Sequence, residues 1–344
     1  MDSLVTGVIF LVDKLILICG HVTYLTLLPF TILIRAALTN FFAQFNIHLN
    51  GKGAGDVQIL NWRAYSKMVT YGTVGVVDSW LEGWIKINNL ETCMGRLTDV
   101  ARHVVKFIKF EPGLIAPLYH IRWNMLNIQT KDRAKLFCNP AYNLGDSLLF
   151  SVAYYGRGAK SLEEAQAHKM ALTAEKLKLK KGMRVLDVGC GFGGLSRYLA
   201  SEHGVSIVAI TNSREMAAYS KKNCAGLDVT VLEVDWRDLD EIGRFDRVVG
   251  IEVMFRVGRH NLDEFFAKIS SCLKPDGICV IQDFWNHPDM PHNLATATKY
   301  FFPGHYVFSI DKILRQSGKY FRLEGYLDMS DDLKATGYHW LANF

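Results

Sequence analysis

Residues 183–194, Met-Arg-Val-Leu-Asp-Val-Gly-Cys-Gly-Phe-Gly-Gly, constrain the fold of this chain more than any other stretch. The apolar run 185–188 enters a burst of glycines and leaves through Leu195-Ser196-Arg197-Tyr198-Leu199 at helical spacing, which predicts a strand, a tight turn and a helix. Gly189, Gly191 and Gly193 or Gly194 lack a Cβ, so backbone can approach a ligand closely, and the helix N-terminus offers unpaired N–H groups beside it. The spacing fits two ligand classes. Gly189, Gly191 and Gly194 satisfy the G-x-G-x-x-G of dinucleotide sites, while Asp187 followed by Gly189, Gly191 and Gly193 satisfies the acid-x-G-x-G-x-G of S-adenosylmethionine (SAM) sites. A NAD site also wants an acid about 20 residues on, at the end of the second strand. That strand, 206–210, ends in Thr211-Asn212-Ser213 with no carboxylate, which counts against NAD and is equally untypical of a generic SAM enzyme.

After the glycine-rich turn, apolar strands at 185–188, 206–210, 229–232, 247–251 and 277–283 alternate with helical stretches. Alternation of this kind implies an α/β fold: a mostly parallel, doubly wound, Rossmann-like sheet with helices on both faces. The ligand crevice then lies at the carboxyl ends of the strands, where Gly189, Thr211, Asp235 and Glu252 project. In front of this unit, Ser161-x-x-Glu164 reads as a capping box opening a helix that runs to about Leu177.

The N-terminal part has a different character. Residues 15–34 carry no formal charge and are bounded by Lys14 and Arg35, and a helix of that length spans about 30 Å, one bilayer crossing. The alternative is a hydrophobic helix docked on the protein. Met1-Asp2 has no basic n-region and no small-x-small site follows, so a cleaved signal peptide is not expected. Between Arg96 and Phe110, apolar Leu97, Val100, Ala101, Val104, Val105 and Ile108 recur at helical spacing, a stripe suited either to a core or to a membrane surface. The sequence therefore divides into an anchor region at 1–40, a helical and membrane-associated region at 41–127, and an α/β domain at 128–344. With 49% hydrophobic residues the chain fills a sizeable core, and a net charge of +5 argues no nucleic-acid role while suiting an anionic membrane surface. Seven cysteines form no C-x-x-C pair and read as reduced core thiols, which places the α/β domain in a reducing, cytoplasmic compartment. Oligomeric state has no signature in the sequence.

From about Ile128 onward the chain resembles the cyclopropane-fatty-acid synthase family of SAM-dependent enzymes, which includes mycolic acid methyltransferases. Residues 128–134 (Ile-Gln-Thr-Lys-Asp-Arg-Ala) and Tyr142-Asn143-Leu144-Gly145 are similar to that family's N-terminal helix and Tyr-Asp-Leu-Gly turn. Phe150-Ser151-Val152-Ala153-Tyr154 and Leu162-Glu163-Glu164-Ala165-Gln166 resemble its Tyr-Ser-Cys-Ala-Tyr and Leu-Glu-x-Ala-Gln segments. Thr211-Asn212-Ser213-Arg214-Glu215 stands where the family has Thr-x-Ser-x-Glu, Asp235-Trp236-Arg237-Asp238 where it has Asp-Tyr-Arg-Asp, and Lys299 to Gly304 echoes Lys-Tyr-Ile-Phe-Pro-Gly. A threonine ending the second strand is normal in that family.

The resemblance implies a class I SAM-dependent methyltransferase fold and attack of an acyl-chain double bond on the sulfonium methyl, with no metal. It implies that Ser151 and the backbone of Gly189, Cys190, Gly191 and Gly193 meet the methionine end of SAM, with Asp187 also counted in the cofactor site, and that Thr211, Asn212, Asp235 and Trp236 surround ribose and adenine. In the family a bound bicarbonate accepts the proton, held by a cysteine, a glutamate, a histidine and a tyrosine. Here the cysteine position is Val152, Glu-His-Val-Gly reads Phe255-Arg256-Val257-Gly258, the histidine position is Gln282, and the chain stops before the tyrosine, so bicarbonate is left without its ligands. Glu252, the one carboxylate at the end of the fourth strand, is the candidate to take the proton in its place; the alternatives are that it orients the SAM amino group or caps the next helix. Tyr154, Trp236, Trp285 and Tyr300 are aromatic candidates for cushioning a cation. The function expected is a membrane-attached methyltransferase acting on a lipid acyl chain. The alternatives are a non-catalytic descendant with a regulatory role at a membrane and a small-amine methyltransferase.

Overall fold

The computed structural model describes residues 2–108, 113–127, 129, 147–241, 243–286, 295–300, 302 and 304–342. Ile128, Thr130 to Ala134 and the Tyr142–Gly145 turn lie outside the described residues, as do Cys138, His287 and His292. The chain divides into two compact units, Met1–Thr130 with Asn286–His305, and Lys131–Trp285 with Tyr306–Phe344.

In the first unit, helices α1 (Asp2–Leu27) and α2 (Thr31–Ala43) join through a single turn at Leu28–Phe30, where Pro29 fits the opening position because that residue needs no backbone N–H partner. The uncharged stretch 15–34 thus lies inside a longer apolar helix, Thr6–Ala43, which is long and apolar enough to cross a membrane. One side of it is covered, with Ile9 and Ile16 buried. Helices α3 (Arg63–Tyr71) and α4 (Thr73–Leu81) meet at Gly75, where a Cβ would collide with the Lys67 carbonyl, so only glycine allows the approach. An antiparallel ribbon pairs β1 (Val57–Ile59) with β2 (Ile85–Ile87), followed by α5 (Leu90–Ile108) and α6 (Ala116–Met125). Where α5's side chains are described, its apolar stripe faces the core: Cys93, Leu97 and Val100 pack with Ile47, Met68 and Ile85. Residues 286–305 return to this unit, and there Lys299 pairs with Asp78 at 2.6 Å while the Tyr300 hydroxyl donates to the same carboxylate.

The second unit is the α/β sandwich. Helix α7 (Leu162–Leu177) starts at the expected capping box, where the Ser161 hydroxyl accepts from the Glu164 N–H at 3.1 Å and the Glu164 carboxylate accepts from the Lys160 N–H. Strands β3 (Arg184–Val188), β4 (Ser206–Thr211), β5 (Val229–Glu233), β6 (Phe245–Ile251) and β7 (Leu273–Gln282) form one parallel sheet in the order β5-β4-β3-β6-β7. Helices α8 (Gly194–His203), α9 (Arg214–Asn223) and α10 (Leu262–Cys272) connect them, and α11 (Ile310–Ser317) and α12 (Ser330–Ala342) follow. Alternate residues feed opposite layers: Leu186, Val188, Val208 and Ile210 pack with Phe265 and Ile269 of α10, while Val185, Ile207 and Ala209 pack with Leu177, Leu195 and Leu199. Burial on both faces is why these strands read as continuous apolar runs. The described cysteines are all free, and four are buried as expected; Cys19, on α1, is exposed, so it is not a core thiol.

Candidate active site

The glycine-rich turn after β3 is built from left-handed backbone. Gly189, Gly191 and Gly193 have φ of +79°, +54° and +82°, conformations that side chains strain to adopt. A Cβ at Gly193 would meet the Ser220 hydroxyl, whereas one at Gly191 would meet nothing within 4 Å, so the turn is packed from below and open above. Asp187 lies beneath it, 2% exposed, and accepts from the Ser196 hydroxyl at 2.6 Å. Burial pushes its carboxyl up to about 6, against the lowering effect of the Ser196 bond. Burial likewise pushes the Cys190 thiol up, away from reactivity.

At the neighbouring strand ends, the Thr211 hydroxyl accepts from the Ser213 N–H at 3.3 Å, and half-buried Asn212 sits between them. Asp235 follows β5. Its Oδ1 accepts from the Arg237 N–H and from Arg237 Nη1 at 3.1 and 2.7 Å, while Oδ2 is buried with no partner among the described residues. A buried carboxylate oxygen left open costs free energy unless something donates to it. The Trp236 ring turns into the core, edge-on to Phe265 at 5.3 Å, with the Arg237 guanidinium over its face.

A second set of groups gathers around Glu252, immediately after β6. Its φ is +52°, a strained value for a residue with a side chain. The backbone is held by its N–H donating to the Gln282 carbonyl at 2.6 Å, and the carboxylate accepts from the Val152 N–H at 2.6 Å and from Gln282 Nε2 at 3.5 Å. Gln282 Nε2 also donates to the Val152 carbonyl at 3.1 Å, so the strand end and the 151–155 segment form one network. That segment is fixed from α12, where Thr336 and Asp332 accept from the Ala153 and Tyr155 N–H groups. Lys169 of α7 is fully buried and donates to the Ser151 hydroxyl, while Gln166 donates to the Ser151 carbonyl at 2.9 Å. Burial pushes Glu252 up, opposed by the positive charge of Lys169; burial pushes Lys169 down, opposed by Glu252. Asp283, next along, is pushed up to about 8 by burial and by the charge of Glu252.

The expected residues thus fall in two neighbouring groups of the second unit, the glycine turn with Thr211, Asn212, Asp235 and Trp236, and the Ser151–Glu252 network. Tyr300 belongs to the first unit and is bonded to Asp78. His305 is buried with Nδ1 at 2.9 Å from the Phe302 carbonyl, and no group of metal-ligating side chains occurs among the described residues. Lys169 and Asp283 were missed in the sequence reading. Lys169 had a signal: with Leu162, Ala165, Thr173 and Leu177 it lies on the buried helix side, an uncomfortable place for an ammonium group.

A parallel five-stranded sheet with this order, a glycine turn after its central strand and an acid after β5 defines a Rossmann-like methyltransferase fold. Residues 137–344 match the family described as mycolic acid cyclopropane synthetase, and the chain belongs to that family. It is 32% identical over 312 residues, 88% of this chain and 80% of the relative, to the cyclopropane-fatty-acyl-phospholipid synthase of Escherichia coli K12. The similarity therefore reaches well in front of residue 128, further than the sequence motifs suggest. Sphingolipid C9-methyltransferase A of Emericella nidulans is 29% identical over 222 residues, 59% of this chain and 42% of that one. Among solved structures, the cyclopropane synthase MmaA2 from Mycobacterium tuberculosis superposes with a TM-score of 0.54 at 27% identity, covering 58% of this chain and 75% of that one. The mycolic acid cyclopropane synthase CmaA1, complexed with SAH and CTAB, gives 0.54 at 26% identity over 62% and 79%.

Proposed function

We propose that the chain transfers a methyl group from SAM to an unsaturated acyl chain of a membrane lipid, with Glu252 taking the proton that the product must lose. The names of its relatives, a fatty-acyl-phospholipid synthase and a sphingolipid methyltransferase, support a lipid substrate. Two observations support the cofactor: the open face above Gly191, and the unpartnered Asp235 Oδ2, an acceptor suited to the exocyclic amine of adenine. Gly189, Cys190, Gly191 and Gly193 would present backbone to the methionine end, with Ser151 beside them and Asp187 bracing the turn from below. Thr211, Asn212, Asp235 and the backbone of Trp236 would take ribose and adenine.

The observation that carries the reading is Glu252. Bicarbonate has no ligands at Val152, Phe255 or Gln282, yet a carboxylate is already tethered there, fixed by the Val152 N–H and the Gln282 amide. When bound, SAM supplies an electrophilic methyl, which leaves the alkylated acyl chain with one proton to give up. Glu252 receives it at its carboxylate. Loss from the new methyl group closes a cyclopropane ring, and loss from an adjacent chain carbon leaves a methyl-branched alkene. The largely enclosed setting raises the basicity of Glu252.

The test is incubation of the purified chain with methyl-labelled SAM and extracted lipids, followed by mass spectrometry of the acyl chains, beside calorimetric titration of SAM. Label in an acyl chain, lost in Glu252→Gln while SAM still binds, is the expected result. No SAM binding, or label confined to amine headgroups, would overturn it.

A further inference from the structure

The N-terminal helix has two apolar sides, and the unit covers only one. On the covered side Gly20 packs so closely that a Cβ would press on the Tyr71 ring at 2.9 Å and on Ile115 at 3.2 Å. Asp13 accepts there from Arg122 of α6 at 2.9 Å, the arginine being 7% exposed, and beyond the Pro29 turn Thr31 meets the Ser66 hydroxyl of α3 at 3.1 Å. Leu38, Phe41 and Phe42 continue the contact into the core. From Ile9 to Phe42 it runs along about 50 Å of helix at 1.5 Å per residue.

The opposite side carries Leu11, Leu15, Ile18, Val22 and Leu25, spaced three and four apart and each more than half exposed. Ile32 and Leu33 extend it past the turn, and Leu118, Ile121 and Met125 add a second exposed apolar stripe on α6, which packs beside α1. An apolar surface of this extent marks an interaction site. Its charges fix what kind. Asp13 is the only acidic residue between Thr6 and Ala43, and it is paired on the covered side; the exposed cations of the helix are Lys14, its ammonium over the Phe10 ring, and Arg35.

We propose that α1 and α2 lie in the plane of an anionic phospholipid surface, the Leu11–Leu25 side sunk into the acyl boundary and the Ile9–Phe42 side held on the protein. A crossing helix would need only about 30 Å of its length in hydrocarbon and would have to drag its covered side in as well. With 15–34 in hydrocarbon, that would put the Gly20 contacts with Tyr71 and Ile115 and the Thr31–Ser66 bond in lipid, or break them, and bring the Asp13–Arg122 pair to its edge. An in-plane helix needs about 5–10 Å of immersion on one side and leaves those contacts intact. A second copy of the chain is the rival occupant, but a face-to-face pair would bring Lys14 and Arg35 against their own kind, whereas anionic headgroups meet both. The lipid reading of function enters only in the choice of a bilayer as occupant.

The exposed Cys19 gives the readout. The full-length protein is labelled there with an environment-sensitive maleimide, with Cys19→Ser as the background control. It is mixed with vesicles of phosphatidylcholine alone or with half phosphatidylglycerol, carrying nitroxide lipids labelled near the headgroup or deep in the chain. The expected result is binding at least tenfold tighter to the phosphatidylglycerol vesicles, weakened by salt, with shallow nitroxides quenching more than deep ones. Ile18→Asp, on the exposed side, should weaken binding at least tenfold without moving the melting temperature. Stronger quenching by deep nitroxides means a crossing helix and overturns the proposal, as does dimerisation in solution with no vesicle binding. Vesicle binding as expected with no label reaching acyl chains leaves the docking intact and removes the lipid-substrate reading.

Discussion

Lys169 is the residue whose replacement tests the site most sharply, because the methyl-transfer reading makes it a positioning group for Glu252 that touches no substrate. Glu252 is held above the ordinary glutamate range, a balance of burial, which raises it, and the Lys169 charge, which lowers it. A carboxylate raised in this way ionises over a higher pH range than a free glutamate, so the wild-type transfer rate should rise with pH through that range. Lys169→Met keeps the buried stem and removes the charge. Burial then acts unopposed except by the Val152 and Gln282 bonds, Glu252 moves further up, and the rising limb shifts to higher pH. Rate should fall at pH 7 and recover at high pH. Asp283, the other carboxyl facing Glu252, has both oxygens engaged by the Phe284 and Met254 N–H groups and is not expected to substitute. Glu252→Gln should lose about 10²–10⁴-fold in rate and the limb altogether. The assay is single-turnover transfer of labelled methyl to lipid between pH 5.5 and 9.5, with SAM saturating. A pH-independent loss in Lys169→Met, or a limb that survives in Glu252→Gln, would refute the reasoning.

Three further outcomes follow from the glycine turn and its supports. Asp235→Asn replaces the open Oδ2 acceptor by a donor and should weaken SAM about tenfold or more in calorimetry, since an unmatched buried polar contact costs about 1–3 kcal/mol. Gly191→Ala and Gly193→Ala should separate binding from folding in denaturant titrations. Both strain a left-handed backbone, about 1–3 kcal/mol, but only the second also meets Ser220, so it should lose more stability while Gly191→Ala mainly loses ligand. Ser196→Ala removes a bond that lowers Asp187. Asp187 is raised from an unfolded value of about 3.9, so its contribution to stability is full below that value and is lost as pH rises through about 6. The variant raises it further, and melting experiments should show a larger penalty at pH 8 than at pH 5.

The fold of the second unit was legible because each of its signals is local. A capping box states where α7 begins, and glycines state where β3 turns. Apolar runs bounded by polar residues locate β3 to β7 to within a few residues of the observed strands. Strand order is not local, and nothing in the runs themselves says that β3 lies between β4 and β6. The N-terminal helix shows the other limit. Hydropathy adds up residues irrespective of the direction they face, so Ile9, Ile16 and Gly20 against protein count the same as Leu11, Ile18 and Val22 against solvent. Only the covered side, and the pairing of Asp13 with a residue more than a hundred positions away, separates a docked helix from a free span.

Side-chain comparison and backbone geometry report different things at the Ser151–Glu252 network. Replacing a family cysteine by Val152 reads as the loss of a ligand, but the donor that the structure uses at that position is the backbone N–H, which every residue except proline possesses. Gln282 in the histidine position still offers an N–H, and it binds both the Val152 carbonyl and the Glu252 carboxylate. The left-handed backbone at Glu252 then makes sense as a local cost of order 1 kcal/mol, offset by one backbone and two carboxylate hydrogen bonds that hold this residue at the strand end. Taken one position at a time, the substitutions remove a mobile anion's ligands. On the proposed reading, the donors left at Val152 and Gln282 are ones that the attached Glu252 carboxylate satisfies, and a tethered base would need no binding step of its own.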